Sequence, residues 1–87
     1  MIKLDILKEI LKEAQPVKTY LKSPDLTEAK SVVESYGHLV DRFYEINQNI
    51  LAKQQYMTAK VDFDYFLRIL ELAIEYECSE NSGKGAN

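Results

Sequence analysis

The sequence has little of what bends or cross-links a chain: one cysteine, two prolines, three glycines and no tryptophan. A single cysteine, Cys78, excludes a disulfide within the chain, so we expect a reducing, cytoplasmic setting. So few glycines and prolines favour long regular elements joined by few turns. No apolar run is long enough to span a membrane, and the N-terminal residues alternate charged with aliphatic side chains, unlike the core of a signal peptide.

Strong charge of either sign is also lacking, since 14 acidic and 11 basic residues leave a net charge of -3. Neutralisation of phosphates supplies most of the affinity for nucleic acid, so a mildly acidic chain without a basic patch is a poor candidate for that partner. Hydrophobic residues at 46% and charged residues at 29% are typical of a folded chain. We predict one helical domain over residues 1–78 and a disordered polar tail over residues 79–87.

The clearest pattern lies between Val61 and Cys78. When these residues are placed at helical spacing, the charged side chains form one narrow stripe: Asp64, Arg68, Glu71 and Glu75. Most of the remaining circumference is apolar, an arc of roughly 220°, about twice what a helix on the surface of one core needs. This stretch therefore predicts a helix with neighbours on two sides.

Two more helices precede it. Residues 1–14 predict an amphipathic helix, which Pro16 should stop or kink because proline cannot donate the next backbone hydrogen bond. Ser23 or Asp25 can cap a second helix that begins near Pro24. Apolar residues then recur at alternating spacings of three and four as far as about Gln55, which predicts one helix of roughly thirty residues.

Three residues interrupt the regularity of this long helix. Gly37 costs up to about 1 kcal/mol relative to alanine in mid-helix, and a closely approaching backbone would explain it. Asn47 and Gln54 occupy positions where the apolar seam predicts an apolar residue. A polar seam residue can fix the register of an interface by hydrogen-bonding across it. The alternative is that the seam diverges from its neighbour there and leaves both amides exposed.

Residues 56–61 contain neither glycine nor proline, yet we place the last turn there. Asp62 is the best cap for the final helix, with Val61 and Phe66 forming a hydrophobic staple. The alternative is one continuous helix from Pro24 to Glu77, which would need a partner chain along its whole length. We predict an all-α, antiparallel three-helix bundle whose first helix is kinked or split at Pro16; a split would give four helices.

One helix face carries side chains that could ligate a metal: Glu34, His38, Asp41 and Glu45. Di-metal helical bundles use Glu-x-x-His pairs on two helices, and this chain has one histidine and no such motif. The stripe also lies opposite the apolar seam, so we interpret it as a solvated face and predict no metal and no cofactor. Cys78 has acidic neighbours that disfavour the thiolate, and no acid/base or phosphate-binding signature is present, so we predict that the protein is not an enzyme.

Six tyrosines suggest side chains whose rings are buried and whose hydroxyl groups contact water. A bundle this small should cover only one flank of the last helix, which leaves the other flank for a partner. The predicted partner-binding residues are Tyr65, Ile69, Leu72 and Tyr76 on that flank, together with Tyr36 and Asn47. The alternative is a core that is merely rimmed by tyrosines.

These observations favour a non-enzymatic, helical protein-binding module: an inhibitor, an antitoxin-like or immunity-like protein, or an adaptor. The acidic residues of the last helix would steer it towards a basic partner surface. The alternative is a structural component whose purpose is its own oligomerisation. In either case we expect a homodimer or a hetero-complex rather than an isolated monomer.

Overall fold

The computed structural model describes the backbone of residues 2–86 and the side chains of residues 2–79. Within this part of the chain there are five α-helices and no strand: α1 (Lys3–Glu13), α2 (Gln15–Lys22), α3 (Ala29–Ile46), α4 (Lys53–Val61) and α5 (Phe63–Ala86). The first two are joined through a single residue, Ala14, and form one kinked rod. Four rods therefore make up the bundle, and the predicted all-α fold is confirmed.

The kink between α1 and α2 lies where the sequence predicts it. Pro16 occupies the first turn of α2, where its missing N–H costs least. The apolar face continues through the kink, since Leu7, Ile10, Ala14 and Val17 are all buried.

The predicted start of the second helix near Pro24 is wrong, because α3 begins at Ala29. The Asp25 carboxylate accepts hydrogen bonds from the backbone N–H of Thr27 at 3.0 Å and from its hydroxyl at 2.8 Å. These bonds lower the pKa of Asp25. They close a local turn that competes with the helix. Aspartate side chains often make such local hydrogen bonds. Leu26 lies within this turn, and its side chain is 94% exposed.

The predicted helix as far as Gln55 is also wrong, because α3 ends at Ile46 and a turn separates it from α4. The side-chain nitrogen of Asn47 donates to the Phe43 carbonyl at 2.8 Å, the acceptor that the next helical backbone N–H would have used. At the other side of the turn, the side-chain oxygen of Gln55 accepts from the backbone N–H of Ala52 at 2.9 Å and caps α4. Residues 56–61, predicted to be a turn, are helical, and one continuous helix is excluded as well.

Helix α4 carries the chain back along α3. The Tyr36 hydroxyl, in the first half of α3, donates to the Ala59 carbonyl, and the Tyr56 hydroxyl donates to Asp41 further along. The two helices are therefore antiparallel. A second reversal then sends α5 in the same direction as α3.

Asp62 makes the second reversal, as predicted. Its carboxylate accepts from the backbone N–H of Tyr65 at 3.0 Å, which satisfies one free donor at the start of α5. The predicted staple from Val61 to Phe66 is wrong, because Val61 is 86% exposed while Phe66 is fully buried. Phe66 finds its partners on α3 instead.

Helix α5 lies at the centre of the bundle and packs against α1, α3 and α4. Its buried face consists of Phe66, Ile69, Leu70 and Ala73. At its far end, Lys3 of α1 lies 3.8 Å from Glu77, so α1 and α5 run antiparallel. The sequence predicts neighbours on more than one side of α5. Other helices of the same chain provide them around much of the circumference of α5.

Two other sequence expectations concern Gly37 and the tail. A Cβ added to Gly37 would have nothing within 4 Å, so the predicted close approach of another backbone is wrong. Helix α5 is assigned through Ala86, while the side chains of residues 80–86 and the whole of Asn87 lie outside the described part. The disordered tail over residues 79–87 stays a prediction.

Candidate functional site

The six residues predicted to bind a partner do not form one surface. Leu72 is 56% exposed and Tyr76 is 55% exposed, whereas Ile69, on the same stripe of α5, is only 8% exposed. Tyr36 and Tyr65 are half-buried and Asn47 is fully buried. Of these six residues, only Leu72 and Tyr76 therefore present large apolar surfaces to solvent.

Tyr36 is occupied within the chain. Besides its hydrogen bond to Ala59, its ring meets Phe63 and Phe66 edge-on, with ring centroids 5.7 and 5.5 Å apart. Burial, reinforced by the nearby charge of Asp62, raises the pKa of the Tyr36 hydroxyl far above its usual value. Tyr36 therefore packs at the rim of the core. For this residue, the structure agrees with the alternative of a core that is rimmed by tyrosines.

Leu72 and Tyr76 border a groove of about 290 Å³ between α5, the end of α3 and the turn after it. We call it the α5 groove. Its buried floor consists of Phe43, Asn47, Ile69 and Ala73. Its exposed rim consists of Ile50, Leu72 and Tyr76, each more than half exposed. The groove is an apolar cleft that opens to solvent beside the core.

Asn47 is the polar exception in the floor of the α5 groove. Its side-chain nitrogen donates to Phe43, but its Oδ1 has no hydrogen-bond partner within the described residues. A buried acceptor without a donor costs about 1–3 kcal/mol. The expectation of an exposed amide is wrong for Asn47, although Gln54 is indeed exposed.

Sequence reasoning selected Asn47, Ile69, Leu72 and Tyr76 but missed that Phe43 and Ile50 complete the same groove. Ile50 reaches it only because the chain leaves the helix after Ile46. The available signal was local: residues 47–49 read Asn-Gln-Asn, and asparagine favours turns through hydrogen bonds to nearby backbone.

The stripe considered for a metal faces solvent, since Glu34, His38, Asp41 and Glu45 are all exposed. Within the described residues, no group of three or more histidine, cysteine, aspartate or glutamate side chains is placed to hold a metal ion. Asp41 accepts from Tyr56 and lies 4.0 Å from Lys60. Hydrogen bonding to Tyr56 raises the pKa of Lys60, with the charges of Tyr56 and Asp41 acting in the same direction.

A larger cleft of about 630 Å³ lies between the α1/α2 rod and α3. Polar side chains, among them Glu28, Ser35 and His38, line much of it. Arg42 at its edge is already paired with Glu13 at 3.0 Å and with Glu9 at 3.5 Å. Among the described residues, no buried side-chain polar atom in this cleft lacks a hydrogen-bond partner.

Among the helices that the structure describes, none combines the length and the apolar character that crossing a membrane requires. Comparison of the chain with protein-family models, with curated proteins and with solved structures finds no match.

Proposed function

We propose that this chain is a non-enzymatic protein-binding module that docks a protein partner on the α5 groove. The observation that carries the proposal is the exposure of Leu72 and Tyr76, each above one half, beside a groove whose floor is the hydrophobic core. Neighbouring apolar side chains that remain exposed around a cleft are typical of interaction sites. An inhibitor, an antitoxin-like or immunity-like protein and an adaptor all act in this way, and a reducing cytoplasm suits a chain with one cysteine.

Charges beside the groove indicate the sign of the partner surface. Glu71 and Glu75 share the exposed side of α5 with Leu72, and Arg68 is the one basic residue among them. Two carboxylates against one guanidinium leave this side of α5, next to the groove, with a net negative charge. Such a charge increases the association rate with a basic partner surface, and this effect weakens as salt is added.

Self-assembly is the second candidate, and one feature favours it. If two copies of α5 packed antiparallel around Leu72, Arg68 of one copy would face Glu75 or Tyr76 of the other. A homodimer would then bury the rims of both grooves. Light scattering across a dilution series separates the two candidates, because a self-assembling chain is a dimer when concentrated, whereas a module for a foreign partner is monomeric.

The test of partner binding is a paired substitution on the rim, Leu72→Asp with Tyr76→Asp. Both side chains are exposed, so the helical circular dichroism and the thermal midpoint should stay close to wild type. The matched control is Leu26→Asp with Val61→Asp, at two apolar residues that are even more exposed and lie outside the groove. A partner isolated from the native source should bind the wild type and the control but lose at least tenfold in affinity for the rim variant. Equal affinity for all three proteins would contradict the proposal.

A further inference from the structure

We infer that the α5 groove recognises a tryptophan side chain of the partner, with the indole N–H donating to Oδ1 of Asn47. This inference rests on the proposed function and specifies the chemistry of the anchoring residue. Three properties of the groove support it: its size, its apolar walls and its single unused acceptor.

The size of the groove fits one large side chain. Pockets for drug-sized molecules range from about 300 to 1,000 Å³, and an apolar cavity of about 150 Å³ accommodates benzene. The α5 groove, at about 290 Å³, has roughly twice that benzene-binding volume. A fused two-ring side chain is of the right size, and tryptophan is the residue that carries one.

The acceptor gives the groove its specificity. The indole nitrogen can only donate a hydrogen bond, and Asn47 Oδ1 can only accept one. A phenylalanine ring in the groove would leave this carbonyl unpaired. A water molecule at Oδ1 would find few other protein partners, because the walls of the groove are mostly apolar.

The donor reaches Oδ1 from the rim. Oδ1 itself is buried, so a rim side chain has to turn aside before an indole can reach it. Ile50, Leu72 and Tyr76 are each more than half exposed, which leaves them room to change rotamer. The turn over residues 47–52 forms one wall, and its position determines the width of the entrance.

A second copy of this sequence cannot provide the anchor, because its 87 residues contain no tryptophan. The occupant is therefore a different protein. Tryptophan is also among the residues most enriched at the centres of protein interfaces, where a single buried ring supplies much of the binding energy.

The absence of tryptophan also makes a fluorescence test simple, since any indole emission comes from the added probe. The probes are N-acetyl-tryptophanamide and its 1-methylindole analogue, which keeps the rings but cannot donate. For the wild type we expect saturable binding with a blue-shifted emission, and about tenfold weaker binding of the methylated probe, the cost of one hydrogen bond. Absence of saturable binding, or equal binding of the two probes, would overturn the inference.

Asn47→Leu tests whether the difference arises at this residue. Leucine has a similar volume but no acceptor, so the two probes should bind this variant equally well. A persistent tenfold difference would mean that the added methyl group clashes elsewhere, and would overturn the assignment. Because Asn47 also caps α3, the variant is first checked by circular dichroism. If it does not fold, the indole N–H resonance of the probe bound to wild type, shifted and protected from exchange when hydrogen-bonded, gives the same answer.

A last pair of probes distinguishes a protein partner from a small free indole. An amidated Lys-Trp-Lys peptide should bind more tightly than free indole, and more tightly than Glu-Trp-Glu, because Glu71 and Glu75 lie beside the groove. Tighter binding of free indole than of either peptide would overturn the assignment to a protein. Failure of every indole probe, with the rim variant still losing its partner, would reject tryptophan as the anchor and leave the proposed function standing.

Discussion

The two ends of residues 63–76 of α5 contrast sharply although apolar side chains recur throughout this segment. At its start, Phe66 is enclosed by edge-to-face contacts with Tyr36 and Phe43, at centroid distances of 5.5 and 5.6 Å. Two turns later, Leu72 and Tyr76 are more than half exposed beside a groove. We call these the aromatic end and the groove end. Helix α4 closes the first, whereas the second is bordered by the end of α3, the turn over residues 47–52 and only the first turn of α4.

The contrast shows that the break after α3 organises the site. Had α3 continued, its next turns would have extended away from Ile46 as a straight rod, and α4 could not have returned to cover the aromatic end. Because the chain reverses at Asn47, α4 covers the aromatic end of α5, and the groove end stays open beside the turn. A single interruption of one helix thus separates a closed part of the core from an open groove.

Among the changes that test the difference between the two ends, Phe66→Ala is expected to have the largest effect. Removing a fully buried ring from the aromatic end should lower the free energy of unfolding by about 3–5 kcal/mol, a large part of what a small domain has. The matched change at the groove end, Leu72→Ala, should stay within about 0.5 kcal/mol because that side chain is exposed. Urea unfolding measures both. Similar losses at the two ends would abolish the distinction between them.

An intermediate effect is expected from alkaline pH, and it arises at the aromatic end. The pKa of Tyr36 is raised in the folded state, so above about pH 10 the unfolded chain loses this proton while the folded chain keeps it. The stability contribution is fully present below the unfolded pKa and is lost as pH rises from there towards the folded pKa. Urea unfolding between pH 8 and pH 11 should therefore show a decline in stability that is shallower in Tyr36→Phe. Tyr76→Phe, at the exposed end, is the control and should follow the wild type; identical curves for all three would contradict the assignment.

The smallest effect is expected from Gly37→Ala in the middle of α3. A Cβ there meets nothing within 4 Å and no glycine of the described chain has a positive φ, so alanine should raise the free energy of unfolding by up to about 1 kcal/mol through helix propensity. Thermal unfolding of the two proteins measures the gain. A loss of stability instead would mean that another surface packs on Gly37 in solution, as in a dimer.

Sequence reasoning succeeded where the signal was a repeated pattern or a strong local rule. The apolar faces of the first and last helices, the kink at Pro16 and the cap at Asp62 were all predicted from such signals and all are found. The cap depends only on one carboxylate and the backbone N–H groups that follow it, so it needs no knowledge of the tertiary fold.

Prediction failed where two local interactions competed. Asp25 could cap a helix or close a turn on Thr27, and Asn47 could continue an apolar seam or end the helix by binding Phe43. In both cases the side chain bonds to its own neighbourhood, and spacing alone does not reveal which acceptor or donor it chooses. The groove could not be predicted for the same reason, because its wall exists only once the helix has ended.

The turn after Asn47 leaves Gln48, Asn49 and Ile50 exposed to solvent, and these three residues carry little of the core. Exposed connections of this kind accept changes of sequence and of length far more readily than the helices they join. Variation confined to this connection would therefore reshape the mouth of the site while the bundle stays as it is. Under the proposed function, changes in this connection would alter which protein is bound while leaving the stability of the bundle almost unchanged.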